Sequence, residues 1–310
     1  MHFTNVLAGM AAMAATTANA IQGFNYGAFF LNQQPKYQVD FEYEFRRAQQ
    51  LPGTSGWNSA RLYTMVQWQT ANDVVQAIPA AINTQTSLLL GLWVSGGTQA
   101  IENELAALRK AIDQYGTAFT SLVVGISVGS EDLYRNTNNE VGVDAAYLLN
   151  CIQRTRDLIR GTALANVPVG HVDTYNAFLD GRNAAVIPAI DFIGFDGYPY
   201  WEQTLPNSID NGRERFYDGL NKTIAISQGK PVWITETGWP VVGKQINQAV
   251  ASAQNARKYW QDVACSLVRS NINIWWYNLQ ESQWGQAETD FGIYGAGDLF
   301  SINPYYDLSC

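Results

Sequence analysis

Basic residues are scarce in this chain. Its 310 residues hold 19 Lys and Arg against 27 Asp and Glu, for a formal net charge of −8. Nucleic-acid binding draws on clustered Lys and Arg, so no nucleic-acid partner is expected, and neutral or cationic ligands remain. Histidine is scarcer still, with two residues, and cysteine numbers three. One histidine beyond the first 20 residues and scattered cysteines make no metal-ligand cluster. Neither a phosphate loop nor a dinucleotide fingerprint is present, so no metal and no cofactor are expected. Long apolar runs are missing too: nothing after residue 20 approaches the ~20 apolar residues of a membrane span. The C-terminal Tyr305-Tyr306-Asp307-Leu308-Ser309-Cys310 lacks the apolar tail that directs lipid anchoring, so no membrane anchor is expected.

The N-terminus reads as a processing segment. A short apolar stretch from Val6 to Ala15 runs into Thr16-Thr17-Ala18-Asn19-Ala20, a small-x-small ending that predicts signal-peptidase cleavage before Ile21. The pattern departs from the usual one in a single respect, since only His2 can carry positive charge ahead of the apolar run. Residues 1–20 are therefore expected to be a secretory signal peptide, and 21–310 a secreted, extracellular domain. In that oxidising setting three cysteines imply one disulfide and one free thiol. Helical spacing over 249–270 puts Trp260, Val263, Ala264, Leu267 and Val268 on an apolar face with Cys265 near its edge. The returning tail brings Cys310 within reach, so a Cys265–Cys310 bridge is expected, with Cys151 buried and reduced. Asn221-Lys222-Thr223 is a glycosylation sequon, making Asn221 the candidate acceptor.

What the chain does have is a repeated alternation. Short apolar, β-branched runs occur at 21–26, 59–63, 87–94, 121–128, 167–172, 190–195, 231–235 and 272–278. Helix-like segments separate them, at 39–50, 72–82, 100–115, 143–160, 182–186, 209–227 and 249–270. Near-continuous apolar strands alternating with helices mean a parallel sheet buried on both faces. Eight such units predict a single-domain α/β fold, the (β/α)8 or TIM barrel, although no clear eighth helix follows the last run. Chemistry should then sit at the C-terminal ends of the strands.

Those ends are polar and aromatic. Glu131 and Glu236 stand out, because each directly ends an otherwise apolar run and the fourth and seventh strands face each other across such a barrel. A strand-end Glu by itself is as easily a loop salt bridge. A facing pair about 5–5.5 Å apart suits a retaining glycosidase, in which one carboxylate attacks while the other protonates the leaving oxygen. Glu236 would then be the nucleophile and Glu131 the general acid/base.

With these residues in place, the sequence resembles glycoside hydrolase family 17, the β-1,3-glucanases of plants and fungi. The resemblance covers nearly all of 21–310. Its most specific piece is Trp233-Ile234-Thr235-Glu236-Thr237-Gly238-Trp239-Pro240, which looks like the family's nucleophile strand. Gly23-Phe24-Asn25-Tyr26-Gly27, Arg61-Leu62-Tyr63, Tyr198-Pro199-Tyr200 and Asp290-Phe291-Gly292 match in order. The dense Trp and Tyr content is similar to the fungal cell-wall branch, which includes glucanosyltransferases. The resemblance implies a β-glucan polysaccharide as substrate and acceptor, a cell-wall role and a monomer. It also implies that Arg61 sits beside the nucleophile and that Tyr198 donates a hydrogen bond to it. Tyr26, Tyr63, Tyr200, Trp239, Trp276 and Trp284 are expected to line the cleft, with Trp239, Tyr200 and Trp201 as acceptor-side platforms for glucan transfer. Ser130 stands where relatives carry Asn, and its shorter hydroxyl is expected to reach the sugar 2-OH only through water. Glu281 matches a binding position, but Gln280 replaces the neighbouring Asp.

Two rival readings come from other classes. Gly125-Ile126-Ser127-Val128-Gly129 is a literal G-x-S-x-G, the nucleophile elbow of serine esterases. Ser127, however, lies inside a β-branched run, and His171 follows too soon for the triad order. The second rival is a catalytically inactive β-glucan-binding wall protein, which would normally lack one of the two carboxylates.

Overall fold

The computed structural model describes residues 20–310, so the expected leader, apart from Ala20, lies outside the described residues. Eight strands close into a barrel in sequence order, each parallel to its neighbours. They are β1 (Gln22–Tyr26), β2 (Trp57–Leu62), β3 (Ser87–Leu92), β4 (Val123–Ser130), β5 (Val169–Asp173), β6 (Ile193–Asp196), β7 (Val232–Glu236) and β8 (Ile274–Trp276). β4 runs two residues past its apolar run, because Gly129 and Ser130 stay in the ladder. β8 is shorter than its run, ending before the polar Asn278.

Helices cover the barrel at Gln38–Gln49, Ala77–Thr84, Thr98–Thr120, Ala145–Ile159 and Ile209–Ile226, and each buries one apolar face. The helix expected over 182–186 is replaced by three short turns, Tyr175–Leu179, Gly181–Asn183 and Val186–Ala189. Asp180 is the reason: it ends the first turn, and its carboxylate accepts from Arg182 N to start the second. The segment expected over 249–270 begins at Ala253, where Ser252 caps the helix by accepting from Asn255 N at 3.1 Å. It passes through a wider π-turn at Trp260–Ala264 and ends at Arg269.

No helix follows β8 among the described residues. The chain from 277 to 310 instead crosses back as bends and bridges. The Leu308 carbonyl accepts from Trp260 Nε1 at 3.0 Å, and Cys310 is bonded to Cys265 with Cα atoms 5.4 Å apart. Cys151 is buried and unbridged.

Apolar packing closes the barrel at one end. Leu89, Phe192 and Trp275, with Ile21, Val124 and Trp233, fill it near the N-terminal ends of the strands. Phe192 and Trp233 stack at 3.9 Å, and Trp275 Nε1 donates to Ser59 Oγ at 3.0 Å. Successive strand residues point to opposite faces, so Trp276 points outward where Trp275 points in. Trp276 packs on Tyr259 and Trp260 beneath the outer layer. The C-terminal end stays open, as chemistry in this fold requires.

Candidate active site

A cleft of about 1350 Å³ opens at the C-terminal ends of the strands, with Glu131 and Glu236 both in its wall. Glu236 is the last residue of β7 and is 7% exposed. Three charged or phenolic groups converge on its carboxylate. Arg61 Nη1 donates to Oε1 at 2.6 Å, Tyr63 to Oε1 at 2.8 Å, and Tyr198 to Oε2 at 2.7 Å. Arg61 is fully buried. Burial opposes its charge, but the carboxylates of Glu236 and Asp196 outweigh it and raise its pKa above the ordinary value. Burial, and then Glu236, also pushes the Tyr63 and Tyr198 phenols well up, so both stay protonated as donors. Asn25 completes the support, receiving Arg61 Nη1 at 2.8 Å while its own amide donates to the Thr235 carbonyl at 3.0 Å.

Glu131 sits differently. It follows β4 directly, with φ +56°, and Gly129 two residues earlier has φ +81°. This double left-handed bend aims the side chain into the cleft. Among the described residues its charge-paired neighbour is the half-exposed Arg135, at 3.3 Å. Burial first, then Glu236 and Asp173, push its carboxyl up to about 7. Ser130 links the two sides: Arg61 Nη2 donates to its Oγ at 2.9 Å, which leaves the hydroxyl hydrogen free to donate.

Other expected site residues divide into two groups. Tyr26, Trp201 and Glu281 belong to the cleft wall. Glu281 accepts from Phe291 N at 3.0 Å and Tyr277 at 3.2 Å, and burial raises its carboxyl above the usual range. Trp284 is 66% exposed and rests against Phe30, beside the wall rather than in it. Tyr200, Trp239 and Trp276 require correction: all are fully buried and line no part of the cleft. Trp239 turns under the loop after β7, donating Nε1 to the Val250 carbonyl at 3.0 Å. There it meets Tyr200, Tyr259 and the bare face of Gly212, where a large indole gains more from burial than from water. The Tyr200 hydroxyl is occupied by the Lys244 carbonyl. Asn221 lies exposed on the helix Ile209–Ile226.

Sequence reasoning passed over several wall residues. Trp93 immediately follows β3 and is 50% exposed, so the strand-end rule applied to β3 would have found it. Trp68 packs against Phe29 with ring centres 4.2 Å apart but lies out in the loop after β2, where no pattern marks it. Glu104 is a carboxylate on the buried stripe of its helix, between Ile101 and Leu108. Burial pushes it up to about 7, and it accepts from Met65 N at 2.7 Å, tying down the loop after Tyr63. Asp196, paired across the ladder with Glu236, has its carboxyl pushed well up by burial and then by that neighbour.

The esterase reading fails on geometry. Ser127 lies inside β4, is 1% exposed, and donates its hydroxyl to the Gly129 carbonyl at 2.8 Å. Among the described residues no group of three or more His, Cys, Asp or Glu could hold a metal ion, and no helix is long and apolar enough to cross a membrane.

Comparison with known proteins shows the family. Residues 23–296 match the model of the BtgE/BtgC glycoside hydrolase domain. The chain belongs to that family. This glycoside hydrolase is 50% identical to the probable glucan endo-1,3-beta-glucosidase eglC of Aspergillus niger over 98% of its own length and 66% of that protein's. The eglC protein of Aspergillus fumigatus is also 50% identical, over 100% of this chain and 70% of its own. The chain thus spans about two thirds of the length of these relatives. A Saccharomyces cerevisiae glucan 1,3-beta-glucosidase is 25% identical over 100% of this chain and 99% of that one. Among solved structures, the glycoside hydrolase family 17 beta-1,3-glucanosyltransferase of Rhizomucor miehei superposes with a TM-score of 0.76 at 26% identity, covering 93% and 97% of the two chains. An active-site mutant of that enzyme has been solved with laminaritriose.

Proposed function

We propose that this glycoside hydrolase is a family 17 enzyme that acts on β-1,3-glucan with retention of configuration. The observation that carries the reading is the contrast between its two cleft carboxyls. Glu236 receives a guanidinium and two phenols, while Glu131 holds its proton up to about pH 7.

In the first step the Glu236 carboxylate attacks the anomeric carbon. The glycosidic C–O bond breaks, and the Glu131 proton goes to the departing oxygen. Arg61, Tyr63 and Tyr198 hold the attacking carboxylate in place. Tyr63 and Tyr198 keep their protons throughout. In the second step the Glu131 carboxylate, now ionised, takes a proton from water or from a sugar hydroxyl. That oxygen attacks the anomeric carbon and releases Glu236. Water as acceptor gives hydrolysis; a glucan hydroxyl gives transfer. Water is present at about 55 M, so transfer requires an acceptor held in attacking geometry, where effective molarities reach 10⁵ M or more. Trp201, 43% exposed in the cleft wall, is the one of the three expected acceptor-side platforms that remains, since Tyr200 and Trp239 are buried. The enzyme on this reading is a secreted monomer that remodels cell-wall glucan, with Asn221 as a glycan acceptor.

Chemical rescue tests the assignment. Azide should restore part of the activity of Glu236→Ala and give an α-glycosyl azide, and Glu131→Ala with azide should give the β-anomer. Opposite anomers, or near-native activity in either variant without azide, would remove the assignment. For transfer, laminaripentaose at millimolar concentration should yield products longer than itself, and Trp201→Ala should lose them while still making shorter ones. Only shorter products from the unaltered enzyme would leave a plain hydrolase.

A further inference from the structure

Apart from His2, His171 is the one histidine of the chain, and both of its ring nitrogens face oxygen acceptors. It is fully buried in β5, with Nδ1 2.7 Å from the Val128 carbonyl oxygen and Nε2 3.1 Å from Asp173 Oδ2. A carbonyl oxygen only accepts, so Nδ1 carries a proton. Asp173 Oδ2 already receives Leu133 N at 3.0 Å and Tyr134 N at 3.4 Å, and Oδ1 receives Thr174 N at 2.8 Å. With two backbone N–H groups already directed at Oδ2, that oxygen faces Nε2 as an acceptor, so Nε2 donates as well. Asp132 supplies a second buried carboxylate, accepting from Ser130 N at 2.6 Å and from the Ser95 hydroxyl. The space over Gly129 brings these groups together: a Cβ there would lie 2.1 Å from Asp132 Oδ2 and 3.2 Å from His171 Cε1.

We infer that His171 is held as an imidazolium between Asp132 and Asp173, and that this buried ion cluster is the positioning device of Glu131. The inference rests on the reading of Glu131 as acid/base. The cluster grips the segment on both sides of that residue. His171 holds the Val128 carbonyl, Asp132 holds Ser130 N, and Asp173 holds Leu133 N and Tyr134 N. Between those ties lie the positive φ angles of Gly129 and Glu131. A glutamate in the left-handed region is strained and persists only where its surroundings hold it. A neutral ring would turn a bare nitrogen lone pair toward the Asp173 carboxylate and loosen that hold.

The charges around the two groups are as follows. His171 is faced by Asp173 on its own strand, by Asp132 at the start of the short helix Asp132–Thr137 after β4, by the Val128 carbonyl on β4, and by the edge of Phe178. Glu131 is faced by Glu236 from β7, Asp173 from β5, Asp196 from β6, Tyr277 after β8, and Arg135 and Tyr134 from the short helix that follows it. Burial would lower the His171 pKa, but Asp173 and then Asp132 reverse this and raise it above the ordinary value. A raised histidine stabilises the fold fully below its unfolded pKa, and that contribution is lost as pH rises through the folded value. The support of Glu131 therefore persists to higher pH than an ordinary histidine would allow, and is lost as pH rises through the raised value.

Nitrogen-15 spectra of the histidine-labelled protein test the charge state directly, with His171→Gln identifying the signal. Both ring nitrogens should appear as N–H from about pH 5 to pH 8, the range over which an ordinary histidine loses its charge. A bare ring nitrogen at neutral pH would overturn the inference, whether or not the variant folds. Positioning is tested by leaving-group dependence. His171→Gln should lose on the order of 10²-fold in kcat/KM on laminarin oligosaccharides, whose departing oxygen needs the proton. It should lose much less on a 2,4-dinitrophenyl β-laminaribioside, whose phenolate leaves without one. Equal losses on both substrates would mean a structural role only. Glu131→Ala run in parallel separates the two claims. If it shows no leaving-group dependence, the acid/base reading fails, whereas a neutral His171 ring fails this inference alone.

Discussion

The ends of β4 and β7 present the same side chain, a glutamate, in two opposed environments. At β7, Glu236 continues its strand and meets positive charge and donors from β2 and from the turn after β6. At β4, Glu131 leaves its strand through a left-handed bend. It is backed by a carboxylate cluster and has a single exposed arginine in reach. The difference teaches that in a paired-carboxylate site the residue type is common to both partners, and the supporting donors assign the roles.

The comparison can be broken most severely by removing each carboxylate in turn. Glu236→Ala should lower kcat by on the order of 10⁴-fold or more, as losing a nucleophile does. Glu131→Ala should lose about 10²–10⁴-fold, the range for a general acid. Both losses are read from laminarin hydrolysis, and a smaller loss at Glu236 than at Glu131 would reverse the roles. A milder cut removes the donors on one side only. Tyr198→Phe should reduce kcat by on the order of 10²-fold, the usual cost of one preorganised donor, while steady-state kinetics show KM little changed. An effect confined to KM would place Tyr198 in sugar binding instead. The smallest expected effect tunes Glu131 alone. Because its carboxyl is raised to about 7 and must be protonated to act, kcat/KM should fall as pH rises through that region. Arg135 is the cation that lowers this value, so Arg135→Ala should move the alkaline limb to higher pH, by less than about one unit for so exposed a pair. A shift to lower pH would show that some other group governs the limb.

Much of the fold could be read in the sequence because its cause is local. Near-continuous apolar runs such as Leu88-Leu89-Leu90 and Val123-Val124 can only be strands buried on both faces. Glu131 and Glu236 were visible for the related reason that a carboxylate directly after such a run has few uses outside the mouth of a barrel. The aromatic residues were harder. Trp239 and Tyr200 follow strands as closely as Tyr198 and Trp201 do, yet the loop after β7 folds over the first pair. Trp276 was misplaced by one step of the pleat, since its neighbour Trp275 takes the inward position. Trp93 carried a usable signal that was not applied. Trp68 carried none, because its place in the wall depends on the loops bearing Phe29 and Gln33.

The sequence by itself determined the barrel, the strand ends at which two glutamates stand, and the bridging of Cys265 with Cys310. These follow from short-range periodicity and from the return of the tail beside one helix face. Which aromatics meet the cleft, and which donors surround each carboxyl, follow from tertiary packing alone. The field at a carboxylate sums over groups that the chain brings from far away. Arg61 reaches Glu236 across 175 residues of sequence, and Tyr63 across 173. No local pattern encodes that sum, and in a buried site it outweighs the intrinsic identity of the residue.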